Sequence, residues 1–136
     1  MTNIRHVIGV GELLDRTSSV NSGFCICPPT RMDAHKLVEE GYYNIYSKVG
    51  DRTKMPSASL CMGNQGRVLA VAISISTFTC NFQNHPGDCA NVYLSSSELA
   101  SISGILSYLS NAKEYVKNSS QINSMSKEIY RYSSFD

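Results

Sequence analysis

The hydrophobic period of this chain changes along its length, from every second residue to every third or fourth, and that change narrows the folds open to it. Leu69, Val71, Ile73 and Ile75 alternate with Ala70, Ala72, Ser74 and Ser76, the pattern of a strand with one large apolar face and one small-residue face. Ala34, Leu37, Val38, Gly41, Tyr42, Ile45 and Val49 instead recur at helical spacing. So do Leu99, Ile102, Ile105, Leu106, Leu109, Ala112 and Val116. Strand patterns mixed with an early helix and a late helical pair predict an α+β fold: a mainly antiparallel sheet of about five or six strands with helices on one face. At 136 residues, one globular domain over 1–136 is expected.

Local signals supply the expected boundaries. His6 to Val10 reads as a first strand, and Phe24 to Cys27 as a second, ended by Pro28-Pro29. Gly9-Val10-Gly11 is no dinucleotide fingerprint, because Leu14 stands where a third glycine is needed. Thr30 with Asp33 opens the early helix as a capping-box variant. Ser57 to Met62 and Arg67 to Ser76 flank Gly63-Asn64-Gln65-Gly66 as a hairpin. Phe78, Cys80 and Phe82 then fall on even positions, so a bulge is expected near Ser76-Thr77. Asn84 to Asp88 is the next turn, from which Cys89 to Leu94 returns as a strand. Ser95 and Glu98 cap the late helix, Ala100, Gly104, Ser107 and Asn111 form its small-residue ridge, and Asn118-Ser119-Ser120 is expected to interrupt it. Ile122, Met125 and Ile129 mark a shorter helix before an aromatic tail of Tyr130, Tyr132 and Phe135, which is expected to dock on its own domain or on a second subunit.

Composition removes several classes of function. No apolar run reaches the roughly 18 residues of a membrane helix, and Met1 to His6 lacks a secretory pattern, so a cytoplasmic protein without membrane partners is expected. Net charge is +1 and the twelve basic residues are dispersed, which argues against duplex nucleic acid as a partner. Folding could still gather Arg31, Lys36, Arg52, Lys54 and Arg67 around a small anion. Five cysteines, an odd number, suggest buried or reactive thiols in place of a disulfide framework. Zinc on Cys25 and Cys27 with Cys80, His85 or Cys89 is the sharper alternative, but C-x-C and C-x4-H-x3-C are not the usual paired spacing, and neither a metal nor a cofactor is assigned.

The most suggestive chemistry lies around the Asn84–Asp88 turn. Phe82 offers a stacking face, Asn91 an amide, Arg67 a cation and His85 an imidazole, together a candidate ligand site. The β-rich first part, a covering loop from Phe82 to Asn91 and two terminal helices resemble phage anti-defence sponges that sequester cyclic ADP-ribose-type immune signals. The resemblance implies a non-catalytic homo-oligomer holding a cyclic nucleotide or ADP-ribose-derived ligand between subunits, with Phe82 and Asn91 at the ligand. The arginines that family carries in its terminal helical half are absent here apart from Arg131. Two other readings stay open: a protein-binding inhibitor or adaptor using Tyr43/Tyr46 or Tyr130/Tyr132, and a thiol enzyme with Cys80 or Cys89 activated by His85. His35 reads as a solvated helix residue.

Overall fold

The computed structural model describes residues 3–17, 20, 22–56, 68–77 and 89–133. Its first element is helix α1, Ile4–Asp15, in place of the strand expected at His6 to Val10. The Asn3 side chain caps it by accepting the Arg5 backbone N–H at 3.3 Å. The physical reason for the correction is an unbroken apolar stretch. Val7, Ile8, Gly9, Val10, Gly11, Leu13 and Leu14 are all buried, and the run from 7 to 11 masks a helical period whose polar side is marked by Arg5 and Glu12, seven residues apart.

The early helical stripe is two helices, α2 (Arg31–Glu39) and α3 (Tyr42–Lys48). Thr30 caps α2 as its sequence predicts: its Oγ1 accepts from the Asp33 N–H at 3.1 Å and donates to Asp33 Oδ2 at 2.7 Å. Gly41 stands between the helices at φ +82°, a left-handed conformation that only glycine adopts without strain and that redirects the chain. Phe24 to Cys27 is not a strand, and the segment it bonds to is not the chain's first. The Arg52 N–H donates to the Phe24 carbonyl at 3.1 Å, and the Lys54 N–H to that of Ile26 at 2.9 Å.

The fold class is α+β, but the sheet among the described residues is a parallel pair, β1 (Ile73–Ser76) beside β2 (Asn91–Leu94). Ile73 lies opposite Asn91 and Ser76 opposite Leu94. This overturns the antiparallel sheet and the hairpin expected between these strands. A tight turn joins only antiparallel neighbours; parallel strands need a longer crossover.

Helix α4 (Ser97–Leu106) begins one residue later than its sequence suggests, with Ser96 as the cap whose Oγ accepts the Leu99 N–H at 3.2 Å. It ends at Ser107, a left-handed residue at φ 63°. Asn111 and Glu114 then form a reciprocal capping box, two hydrogen bonds of 3.0 Å, that starts α5 (Ala112–Ser124). The Asn118-Ser119-Ser120 triplet does not interrupt α5. Asn118 Nδ2 and Ser120 Oγ each donate at 2.8 Å to the carbonyls of Glu114 and Lys117 in the preceding turn, so their polar groups are absorbed by the helix. Helix α6 (Ser126–Ile129) and a 3-10 turn, Arg131–Ser133, close the described chain.

Helix α1 is the axis of the core, touched by α3, α4, α5 and α6. Val7, Ile8, Val10, Leu14, Ile26, Leu37, Tyr42, Tyr46, Val49 and Ile129 form one buried cluster. Among the described residues no helix is long and apolar enough to cross a membrane.

Candidate functional site

Polar side chains enter this core in the layer between α1 and α3. Tyr46 is fully buried, and its phenol donates to the Val7 carbonyl at 2.9 Å. Tyr42 stacks on it at 6.3 Å between ring centroids and donates to Glu12 Oε1 at 2.7 Å. Gly11 permits this approach, since a Cβ there would sit 2.4 Å from Tyr42 Cδ1. Burial pushes both phenols far above their ordinary range, with the Glu12 carboxylate adding to the effect at Tyr42, so both act as neutral hydrogen-bond donors. Tyr46 therefore offers no exposed anchor for a protein partner.

Beside the tyrosines, Asp51 accepts from Thr53 Oγ1 at 2.7 Å, and its backbone N–H donates to the Tyr46 carbonyl at 3.0 Å. Burial raises its carboxyl above the ordinary range, while the Thr53 hydroxyl and the Ile26 and Arg52 amides pull it back. Partial burial, followed by the negative charge of Asp51, raises the Cys25 thiol as well. Cys27 donates from Sγ to the Met55 carbonyl at 3.4 Å. A thiol held protonated in this way is a poor nucleophile, and the cluster reads as packing chemistry.

The residues named from sequence are not brought together among those described. Asn91 is exposed at the start of β2, its backbone N–H donating to the Ala72 carbonyl at 3.0 Å. Arg67, Phe82, His85 and Cys80 lie outside the described residues. Cys89 is exposed at φ 54°, and His35 is exposed with Nδ1 3.4 Å from Glu39 Oε1, the solvated position expected of it. Among the described residues no group of three or more His, Cys, Asp or Glu side chains is placed to hold a metal ion. Tyr130 and Tyr132 of the aromatic tail dock on their own domain, Phe135 lying outside the described residues: the Tyr132 hydroxyl and the Arg131 guanidinium both bond Glu40, and the Arg5 guanidinium lies 5.6 Å from the centre of the Tyr130 ring. Glu12 and Glu40, the carboxylates that organise these contacts, carried no sequence signal, because each is an ordinary helix-surface residue until its distant partner arrives.

A shallow depression of about 270 Å³ between α4 and α5 is lined by Ser96, Leu99, Ser110, Asn111, Ala112 and Tyr115. Its wall is mostly carbon, and the two cap residues in it, Ser96 and Asn111, already bond their own helix amides.

No family model matches the chain. It is 49% identical to aconitate hydratase B of Pseudomonas aeruginosa over 137 aligned residues, which cover all of this chain and 16% of that protein. The same coverage holds for aconitate hydratase B of Escherichia coli at 43% identity. The large subunit of 3-isopropylmalate dehydratase of Elusimicrobium minutum is 28% identical over 77% of the chain and 26% of its own length. The chain thus spans 16% of the length of the aconitate hydratases it matches.

These relatives overturn the expected function. Proteins 43% and 49% identical over the whole chain carry the name of an enzyme, a hydratase, and not of a non-catalytic sponge. The anti-defence role, the cyclic nucleotide or ADP-ribose-derived ligand and the homo-oligomer sharing a pocket fall together. The resemblance behind them rested on an order of elements, β-rich then helical, that the helix at Ile4–Asp15 removes.

Proposed function

We propose that this chain is a segment of an aconitate-hydratase-type enzyme, and that within such an enzyme its helices form a packed unit supporting a site for a carboxylic acid. The observation that carries this reading is the 49% identity to a bacterial aconitate hydratase B across the entire chain. The second group of relatives bears on the reaction type. Their name joins a dehydratase to a different acid, so addition or removal of water is common to both sets and the substrate is not.

The residues singled out from sequence keep a role under this reading with a different ligand. A carboxylate substrate calls for a guanidinium, which forms paired hydrogen bonds to both oxygens, and Arg67 supplies that chemistry. Moving water across a double bond calls for a group that exchanges a proton near neutral pH, and His85 is of that type. Asn91 and Phe82 supply an amide and an apolar wall. The single domain over 1–136 becomes a unit within a larger protein.

A chimera tests the proposal: the matched segment of the P. aeruginosa enzyme is replaced by this chain, and hydration of aconitate is followed by loss of its conjugated double bond. Activity within about tenfold of the parent is expected, and Arg67→Ala in the chimera should lower kcat/KM by at least ~100-fold. A folded chimera with no activity would overturn the reading.

A further inference from the structure

We infer that Cys25 and Cys27, together with the thioether of Met55, form a binding site for a soft monovalent metal ion, copper(I). The site lies outside the function proposed above and stands without it. Burial alternates along this segment: Ile26 and Pro28 are packed into the core, while Cys25 is exposed and Cys27 half-buried, so the two thiols share its outer side. A second segment runs beside them. The Arg52 and Lys54 amides bond the Phe24 and Ile26 carbonyls at 3.1 and 2.9 Å, and Cys27 Sγ reaches the Met55 carbonyl at 3.4 Å. That last contact sets Met55 against Cys27, and its side chain is 66% exposed.

Ligand chemistry selects the ion. Zinc, the alternative raised by these thiols in the sequence, takes four ligands in a closed structural site. Among the described residues no three His, Cys, Asp or Glu side chains are placed to supply them. Copper(I) asks for less, since it is satisfied by two thiolates in line or by three soft ligands, and thiolate and thioether are the donors that select it. Charge fits as well. A monocation held by two thiolates carries one negative charge in excess, and Lys54 and Arg52 lie close enough for their positive charges to act on Cys25, against Asp51. Slow nucleophiles still serve here, because a coordinating thiol gives up its proton to the metal ion.

Copper(I) transfer tests the site. The full chain, reduced and kept from oxygen, is added to the coloured copper(I) complex of bicinchoninate, and loss of colour reports the metal taken. The wild type should take a single equivalent, and so should the triple variant Cys61→Ser, Cys80→Ser, Cys89→Ser. Cys25→Ser and Cys27→Ser should each weaken binding by at least ~100-fold, more than loss of an outer contact costs, and Met55→Leu by about tenfold. X-ray absorption at the copper edge should show sulfur neighbours and no imidazole. A wild type that takes no copper while its circular dichroism shows the helices formed overturns the site. So does binding that survives Cys25→Ser and Cys27→Ser but is lost in the triple variant, which would place the metal on other thiols. Met55→Leu binding as the wild type does would strike the three-sulfur site. Should a serine variant not fold, the wild type decides: copper should shield Cys25 and Cys27 from iodoacetamide more than the other three cysteines, and equal shielding of all five overturns the proposal.

Discussion

The ring of Phe24 occupies the space a side chain at Gly104 would need: a Cβ there would lie 2.1 Å from Phe24 Cε2 and 2.7 Å from Cζ. The small-residue ridge on α4 thus receives one aromatic ring from the 22–27 segment. Gly104→Ala should cost about 1–3 kcal/mol, since the ring must shift within a packed core. Phe24→Leu, which removes the obstructing edge, should make the same alanine cheaper. Urea unfolding of the two single variants and the double variant measures the coupling, expected at ~1 kcal/mol or more. Strict additivity would mean that the two residues do not compete for space.

Tyr46→Phe isolates the buried phenol. The substitution keeps the ring and removes the donor to the Val7 carbonyl at 2.9 Å, so a loss of about 0.5–1.5 kcal/mol is expected by urea unfolding. Tyr42→Phe, which releases the Glu12 carboxylate on a half-buried surface, should cost less. A reversed order would place the main stabilising bond at α1's acidic residue.

Ser107 is exposed and left-handed at φ 63°, ψ 17° where α4 ends, a conformation that taxes any residue with a Cβ. Ser107→Gly is therefore expected to stabilise the chain by about 0.5–1 kcal/mol, read as a rise of roughly 2–4 °C in melting temperature. Ser107→Val should lower it.

The Asp51 carboxyl predicts a pH dependence of definite sign. Its folded pKa is raised by burial, so between its unfolded and folded values the native state holds more protons than the unfolded chain. Its contribution to stability is then fully present below the ordinary value of 3.8 and is lost as pH rises through the folded value. Asp51→Asn removes this titration. The difference in unfolding free energy between wild type and variant should therefore move against the wild type as pH rises from about 4 toward 6. A difference that is flat with pH would show that the carboxyl titrates normally.

Signals carried by neighbours in sequence were legible, and those settled by distant contacts were not. Thr30 with Asp33 and the stripe through Leu37 and Tyr42 announced helices that formed, because caps and periodicity are written within a turn or two. Even there, Gly41 was readable as a tolerated helix residue, and only its φ of +82° shows it dividing two helices. The run from His6 to Val10 was misread because five successive apolar or glycine residues, 7–11, hide the period of a helix whose cover by α3, α4, α5 and α6 comes from residues far along the chain. The sense of β1 relative to β2 was equally hidden, since strand alternation is the same in parallel and antiparallel pairs. The candidate site is not reached by these comparisons of expectation with fold, since Arg67, Phe82 and His85 lie outside the described residues. Arg67, Phe82 and His85 were chosen as chemical types, and a spacing that brings types together in sequence carries no information about the ligand they meet.

The central position of α1 also bears on how the chain is made. Within this chain α1 is made before α4, α5 and α6, the helices that supply much of its cover. At ~5–20 residues per second, Ile8 and Leu14 wait on the order of ten seconds for the surfaces that will enclose them. During that interval the apolar side of α1 is an amphiphile's face in search of a lid, and the lid is encoded about a hundred residues downstream.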